Sequence, residues 1–262
     1  ILYRLVGSEM CIRDSIRGEE GFRTTVLIDG VELSDPSAPQ VMPVFDDILT
    51  SQIERVEILR GPQGLLYGAD AGGVILISTT SADHGIQVGV QTRFGKFNTA
   101  QYGANLGYAN EKQHFYLAAT RFETDGYNAQ SADTSGENDG YENQTLHFKG
   151  ETAITDSLSA RLVIRDVNSE VEFDGCFDSA TFSTIHHCLS ETDQQTQRLT
   201  LSYAADKSDH QLGYSNTDVS RDFFSNGLFG FKQSGEIEKL DYLAQFSFCL
   251  LYTSPSPRDG IG

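Results

Sequence analysis

Nowhere in the chain do about 18 apolar residues run together, so it offers no transmembrane helix. That absence leaves a membrane β-barrel open, because barrel strands need only alternating segments of about 10 residues. Basic residues are scarce. Lys and Arg number 19 against 37 Asp and Glu, for a net charge of −18, and that balance argues against a nucleic-acid partner. The chain opens on Ile1 with neither a positively charged start nor the apolar run of a signal peptide, so the natural N-terminus is expected upstream.

The two ends share an origin that is not protein-like. Residues 5–15 (LVGSEMCIRDS) and 249–258 (CLLYTSPSPR) can be written from opposite strands of a single DNA segment, as a sequencing adaptor left in a gene fragment would be. Residues 1–14 and 249–262 are therefore set aside from fold reasoning. Removing them takes away Arg4, Arg13 and Arg258 with Glu9, Asp14 and Asp259, so the charge balance stands. Of the 4 cysteines, Cys11 and Cys249 fall in those ends, which leaves Cys176 and Cys188 in one acidic, polar stretch. A disulfide there fits an oxidising, extracytoplasmic compartment and stabilises by roughly 3 kcal/mol; two reduced loop thiols are the alternative.

Residues 24–33 (TTVLIDGVEL) join two short apolar runs through Asp29-Gly30, a pair suited to the positive φ angles of a two-residue hairpin turn. Residues 34–43 (SDPSAPQVMP) carry loop chemistry, and residues 44–52 can form a short helix with Phe45, Ile48 and Leu49 on one side. In residues 53–59 (IERVEIL), Ile53, Arg55 and Glu57 alternate with Glu54, Val56 and Ile58 as in a strand, ended by Gly61-Pro62. Gly61, Gly64, Gly68, Gly72 and Gly73 match neither phosphate-binding glycine pattern, and no lysine follows them, so a backbone role is expected.

In order and spacing, SIRG (15–18), VLIDGVEL (26–33), IERVEILRGPQGLLYG (53–68) and ADAGGVILISTT (69–80) resemble the successive signatures of the TonB-dependent receptor plug. The resemblance implies a fold that is mostly β: a small α/β plug over residues 15–82, then the first strands of a transmembrane antiparallel β-barrel over residues 83–248. About eight strands of the roughly 22 typical of plugged transporters are expected. The TonB box and first plug strands would lie upstream. Arg55, Glu57 and Arg60 are expected to form ion pairs between plug and barrel or to be solvated strand charges.

From residue 86 the pattern has period two. Ile86, Val88, Val90, Thr92 and Phe94 oppose Gln87, Gly89, Gln91 and Arg93, and Leu158, Ala160, Leu162 and Ile164 oppose Ser159, Arg161 and Arg165. Short connections at 109–112, 155–156 and 204–209 interleave with long ones at 124–143, 166–194 and 219–238, as in an outer-membrane barrel. Phe94, Tyr102, Tyr108, Tyr203 and Phe248 suit interfacial girdles or an ordinary core. A soluble β-sandwich also alternates; the plug resemblance decides between them.

Acidic residues gather in two of the long loops, among them Asp133 and Asp139 in one, Asp166 and Asp174 in the other. Carboxylates held together repel unless a hard cation joins them. The resemblance extends weakly to cobalamin transporters, which cluster calcium ligands in these loops. Structural calcium at Asp133, Asp139, Asp166 and Asp174 is one expectation, and acidic loops solvating a cell surface are the other. His186, His187 and Cys188 could ligate a softer metal or be incidental. No catalytic constellation is identifiable, so no enzyme activity is expected.

For the whole protein the resemblance implies TonB-dependent active transport of a scarce nutrient complex, ferric siderophore or cobalamin in type, across the bacterial outer membrane. The implied partners are TonB, that small complex and outer-membrane lipid. Ligand contacts are expected at Ser34, Asp35, Ser37 and Gln40, in the loop that resembles the family's plug apex. A surface-binding or adhesion barrel without active transport is the alternative, followed by a soluble β-rich enzyme.

Overall fold

The computed structural model describes residues 23–38, 41–60, 67, 72–128, 130, 136–178, 181 and 183–247. Two sheets dominate. The first is built from β1 (Thr24–Ile28), β2 (Val31–Glu32), β3 (Ile53–Arg60) and β4 (Gly73–Thr79) in the order β2-β1-β4-β3, with β1 and β4 parallel. Its β1–β2 turn is made by Asp29 (φ 49°) and Gly30 (φ 86°), the left-handed conformation that the Asp-Gly pair favours. Val26, Ile28, Leu33 and Ile77 form a small core against which Phe45, Ile48, Ile53 and Ile75 pack.

Residues 44–52 differ from expectation. Phe45 and Ile48 do pack on one side, but the segment is irregular apart from a single 3-10 turn at Thr50–Gln52. Its backbone carbonyls have other partners: Asp46 O accepts from the Tyr141 hydroxyl at 3.0 Å and Asp47 O from Arg165 Nη2 at 2.7 Å. A lone short helix is costly to nucleate, and bonds to a neighbouring sheet displace it.

The second sheet comprises β5 (Gly85–Phe94), β6 (Ala100–Ala109), β7 (Gln113–Tyr127), β8 (Asp139–Ala153), β9 (Leu158–Phe173), β12 (Cys188–Ala205), β13 (Ser208–Ser225) and β14 (Leu228–Phe246). A small ribbon, β10 (Cys176–Phe177) with β11 (Thr184–Ile185), projects between β9 and β12. The eight strands pair antiparallel in chain order, from β5 at one edge to β14 at the other. Strands β7 to β9 and β12 to β14 are 15 to 19 residues long, beyond the 9–11 or so that cross a bilayer.

The long connections are consequently shorter than the sequence pattern implies. The 219–238 loop is in fact a two-residue turn, Asn226-Gly227, with φ 50° and 71°. Strand pairing continues after hydrophobic alternation stops, because the ladder of backbone hydrogen bonds does not depend on apolar side chains.

The faces of this sheet are inverted relative to a soluble sandwich. Leu106, Leu117, Leu146, Ile164, Leu199 and Leu212 point outward and are exposed, whereas Asn143, Thr145, His147, Arg165, Thr196, Arg198 and Thr217 point inward and are buried against the first sheet. Apolar-out and polar-in is the pattern of a wall that faces lipid on one side and a filled lumen on the other. Tyr102, Tyr108 and Tyr203 lie on the outward face, as does Phe94 on β5; Phe248 falls outside the described residues. The register also lines up Glu123, Glu142, Glu170, Glu191 and Asp222 on consecutive strands of the outward face, ending at Lys232.

Candidate functional site

The inward face of the wall is rich in donors and the plug presents carboxylates to it. At the hairpin turn the Asp29 carboxylate lies 3.1 Å from Lys149 Nζ and 3.2 Å from His147 Nε2, and it accepts from the Thr79 backbone NH and hydroxyl. Lys149 Nζ also donates to Thr79 O at 2.9 Å, and His147 Nε2 lies 2.9 Å from Thr79 Oγ1. His147 and Lys149 reach the same turn because residues two apart on β8 share a face. Burial alone would raise the Asp29 pKa, but the His147 hydrogen bond, the Lys149 charge and the Thr79 hydroxyl outweigh it and hold the carboxyl well below the usual range.

Further contacts follow around the wall. Gln52 Nε2 donates to Thr120 Oγ1 (2.8 Å) and Gln101 Nε2 to Ser51 Oγ (2.9 Å). Asn143 and Tyr141 converge on Asp47 Oδ1. Lys239 pairs with Glu32 at 3.1 Å, and Arg221 with Asp35 at 3.0 Å. Arg55 and Glu57, by contrast, pair with each other along exposed β3 at 2.8 Å instead of with the wall. The plug's ionic anchors are carboxylates and the wall supplies the cations.

The loop expected to contact ligand is partly engaged in these anchors. Asp35 is buried by Arg221 and accepts from the Ser37 backbone NH and hydroxyl; Ser34 is buried, with its hydroxyl 3.3 Å from Glu32. Ser37 is half-buried, and Gln40 lies outside the described residues. Asp35 is thus a brace for the loop, and among its described members Ser37 keeps a partly accessible side chain.

Of the carboxylates expected to hold calcium, Asp139 and Asp174 come together, joined by Glu137, all within 4.8 Å of one another. Asp133 lies outside the described residues. Asp166 is not part of this group: it stands on the outward face of β9, where it accepts from Asn168. The reason is the extra length of β9, which makes Asp166 a mid-strand residue. Burial pushes the Glu137 carboxyl up against the opposing pull of His187, and the Asp174 and Asp139 charges add to the push. His186 Nδ1 sits 3.0 Å from Asp174, and His187 Nδ1 sits 2.7 Å from Glu137. Cys188 is bonded to Cys176 as a disulfide, which rules it out as a metal ligand beside the histidines.

Sequence reasoning missed His147, Lys149 and Arg165, whose partners lie about a hundred residues away and leave no local signal. Glu137, in contrast, had one: its spacing to Asp139.

The TonB-dependent Receptor Plug Domain matches residues 12–75. This match covers the hairpin, the apex loop and most of the plug sheet. Over those residues the chain is similar to the plug of TonB-dependent receptors. Two curated relatives are Vitamin B12 transporters (BtuB) of Vibrio vulnificus. That of strain CMCP6 is 30% identical over 211 residues, 79% of this chain and 33% of the relative; that of strain YJ016 is 27% identical over 209 residues, 78% and 32%. The chain therefore spans about a third of their length. Among solved structures, the siderophore receptor PirA from Acinetobacter baumannii superposes with a TM-score of 0.65 at 16% identity, over 87% of this chain and 38% of PirA. A variant of the ferric enterobactin receptor PfeA from Pseudomonas aeruginosa, in complex with enterobactin, gives 0.63 at 18%, over 87% and 39%. The structural likenesses show the fold, a small sheet packed against part of an antiparallel barrel wall. The named relatives are transporters and receptors, not enzymes.

Proposed function

We propose that the receptor carries out TonB-dependent import of a scarce nutrient complex, ferric siderophore or cobalamin in type, across the bacterial outer membrane. The observation that carries this reading is a plug sheet pinned, by ion pairs and hydrogen bonds, against the polar inward face of a wall whose outward face is apolar. Such contacts hold the plug in place yet yield to a directed pull, since each can be exchanged for water. Import then amounts to ligand binding above the plug followed by a conformational change. TonB would pull through a box upstream of residue 15, and residues 1–14 and 249–262 are read as adaptor. Ser37 and Gln40 are the proposed apex contacts, with Ser34 and Asp35 bracing them.

A divalent cation fits at Glu137, Asp139 and Asp174. Their carboxylates are close, and Asp174 Oδ2 is buried with no hydrogen-bond partner. The cation would tie the β7–β8 hairpin to the β9–β12 connection on the extracellular side.

The test is uptake by cells carrying the intact receptor gene as their sole high-affinity route, with vitamin B12 and ferric enterobactin supplied separately. Uptake of one ligand that vanishes without TonB supports the reading. Uptake that persists unchanged without TonB, or binding with no uptake, overturns it.

A further inference from the structure

We propose that Arg221 on β13 and Gly235 on β14 are positioning residues for the ligand: from the wall, they hold the apex loop in the conformation that presents Ser37. This rests on reading Ser37 as an apex contact for the imported complex and adds what sets its geometry. Ser37 is half-buried, and Asp35 fixes it twice. Asp35 Oδ1 accepts from the Ser37 backbone NH at 2.8 Å and from the Ser37 hydroxyl. Asp35 N donates to Met42 O at 3.0 Å, which brings the two ends of the loop together. The shape of the loop therefore depends on where the Asp35 carboxylate is held.

Arg221 holds it by charge. The Asp35 side chain is 5% exposed, and Arg221 Nη2 lies 3.0 Å from its Oδ2, an atom with no hydrogen-bond partner besides this ion pair. A buried carboxylate stripped of its counter-charge is costly, so loss of Arg221 turns Asp35 toward water and takes the Ser37 contacts with it. The guanidinium is itself aimed: its Nε donates to Thr192 Oγ1 on β12 at 3.1 Å, and the planar fork then fixes the direction of Nη2.

Gly235 contributes a second constraint that is steric and independent of charge. The register pairs Arg221 with Gln233 and Val219 with Gly235, so Gly235 occupies the next inward position along the hairpin. A Cβ there would run into the Pro36 carbonyl oxygen and stand 2.8 Å from Ser37 N, the same NH that Asp35 binds. Gly235 is not among the glycines with positive φ, so its backbone conformation does not call for glycine. The close approach of the apex loop does. Two neighbouring strands of one hairpin thus shape one loop, by an ion pair and by an absent side chain.

The experiment measures uptake of vitamin B12 and, separately, ferric enterobactin by cells carrying the intact receptor as wild type, Arg221→Gln, Gly235→Ala or the double variant Asp35→Asn/Arg221→Gln. Each single change is expected to raise the half-saturating concentration of the imported probe at least about 10-fold, as when only about a tenth of the receptors present a competent loop. The maximal rate should stay within about 2-fold, because loop order sets binding and not the later steps. The double variant exchanges the ion pair for a neutral amide pair and should return to within about 3-fold of wild type. In parallel, a nitroxide attached at Ala38→Cys in the purified full-length receptor in detergent should be immobilised in wild type, mobile with Arg221→Gln and immobilised again in the double variant. A half-saturating concentration unmoved by both single changes, a fall in maximal rate alone, or no recovery in the double variant overturns the inference. Gly235→Ala leaves every charge in place, so the uptake comparison holds even where Arg221→Gln fails to fold. Should neither probe enter wild-type cells, the transport reading fails by itself and the nitroxide decides the inference: a mobile label with Arg221→Gln supports it, and an unchanged spectrum overturns it.

Discussion

Asp29 holds a turn and a domain interface with one carboxylate. Its positive φ requires a residue that tolerates the left-handed region, and its side chain collects donors from β4 and β8. Because the carboxylate is buried and paired, Asp29→Asn leaves Lys149 without its anion, and a loss of about 3–5 kcal/mol is expected. The temperature of the heat-modifiable mobility shift on gels of the intact receptor would read it. The pH dependence has a definite sign. The folded pKa lies below the unfolded one of about 3.9, so the contribution of Asp29 is fully present above that value and fades as pH falls through the lower, folded one. Wild type and Asp29→Asn should therefore differ most at neutral pH and converge in strong acid. A gap that widens on acidification would contradict the assignment. Gly213 is another residue-scale constraint. A Cβ there would run into Arg198 Nη2, which makes a bidentate pair with Asp241 across the top of it. Gly213→Leu should displace that pair and lower the same temperature.

Among the elements, the β13–β14 hairpin shows how local chemistry can outrank hydrophobic pattern. The Asn226-Gly227 turn has the strongest of short hairpin signals, yet the flanking Phe223, Phe224, Leu228 and Phe229 come in adjacent pairs that break strict alternation, and the segment reads as a loop. Gly227→Val should strain the turn by about 1–2 kcal/mol and raise amide exchange between Phe223 and Phe231. The outward carboxylate row is a second element-scale feature. Glu142, Glu170 and Glu191 stand directly opposite one another on adjacent strands, with Arg121 pairing Glu142 at one end and Lys232 pairing Asp222 at the other. Like charges so placed repel. Glu170→Gln should stabilise the wall by about 0.3 kcal/mol at low salt, an effect lost near 1 M salt; a variant less stable than wild type at low salt would show that the row is compensated.

At the scale of the whole molecule, the described wall ends at β5 and β14 with unpaired edges, and its outward face is apolar. This chain alone in water should aggregate through those edges and stay dispersed only in detergent, as analytical ultracentrifugation with and without dodecyl maltoside would show. A monodisperse species without detergent would contradict a lipid-facing wall. The amino-acid sequence by itself determined the plug hairpin, the period-two strands and which side chains share a face, since these depend on spacings of a few residues. The tertiary structure alone decided where the strands stop, which carboxylates meet and what holds the plug. Strand length outside the bilayer carries no apolar period. The Asp29–Lys149, Asp47–Arg165 and Glu137–Asp174 encounters depend on register accumulated across several antiparallel ladders, where a one-residue slip turns every side chain to the opposite face.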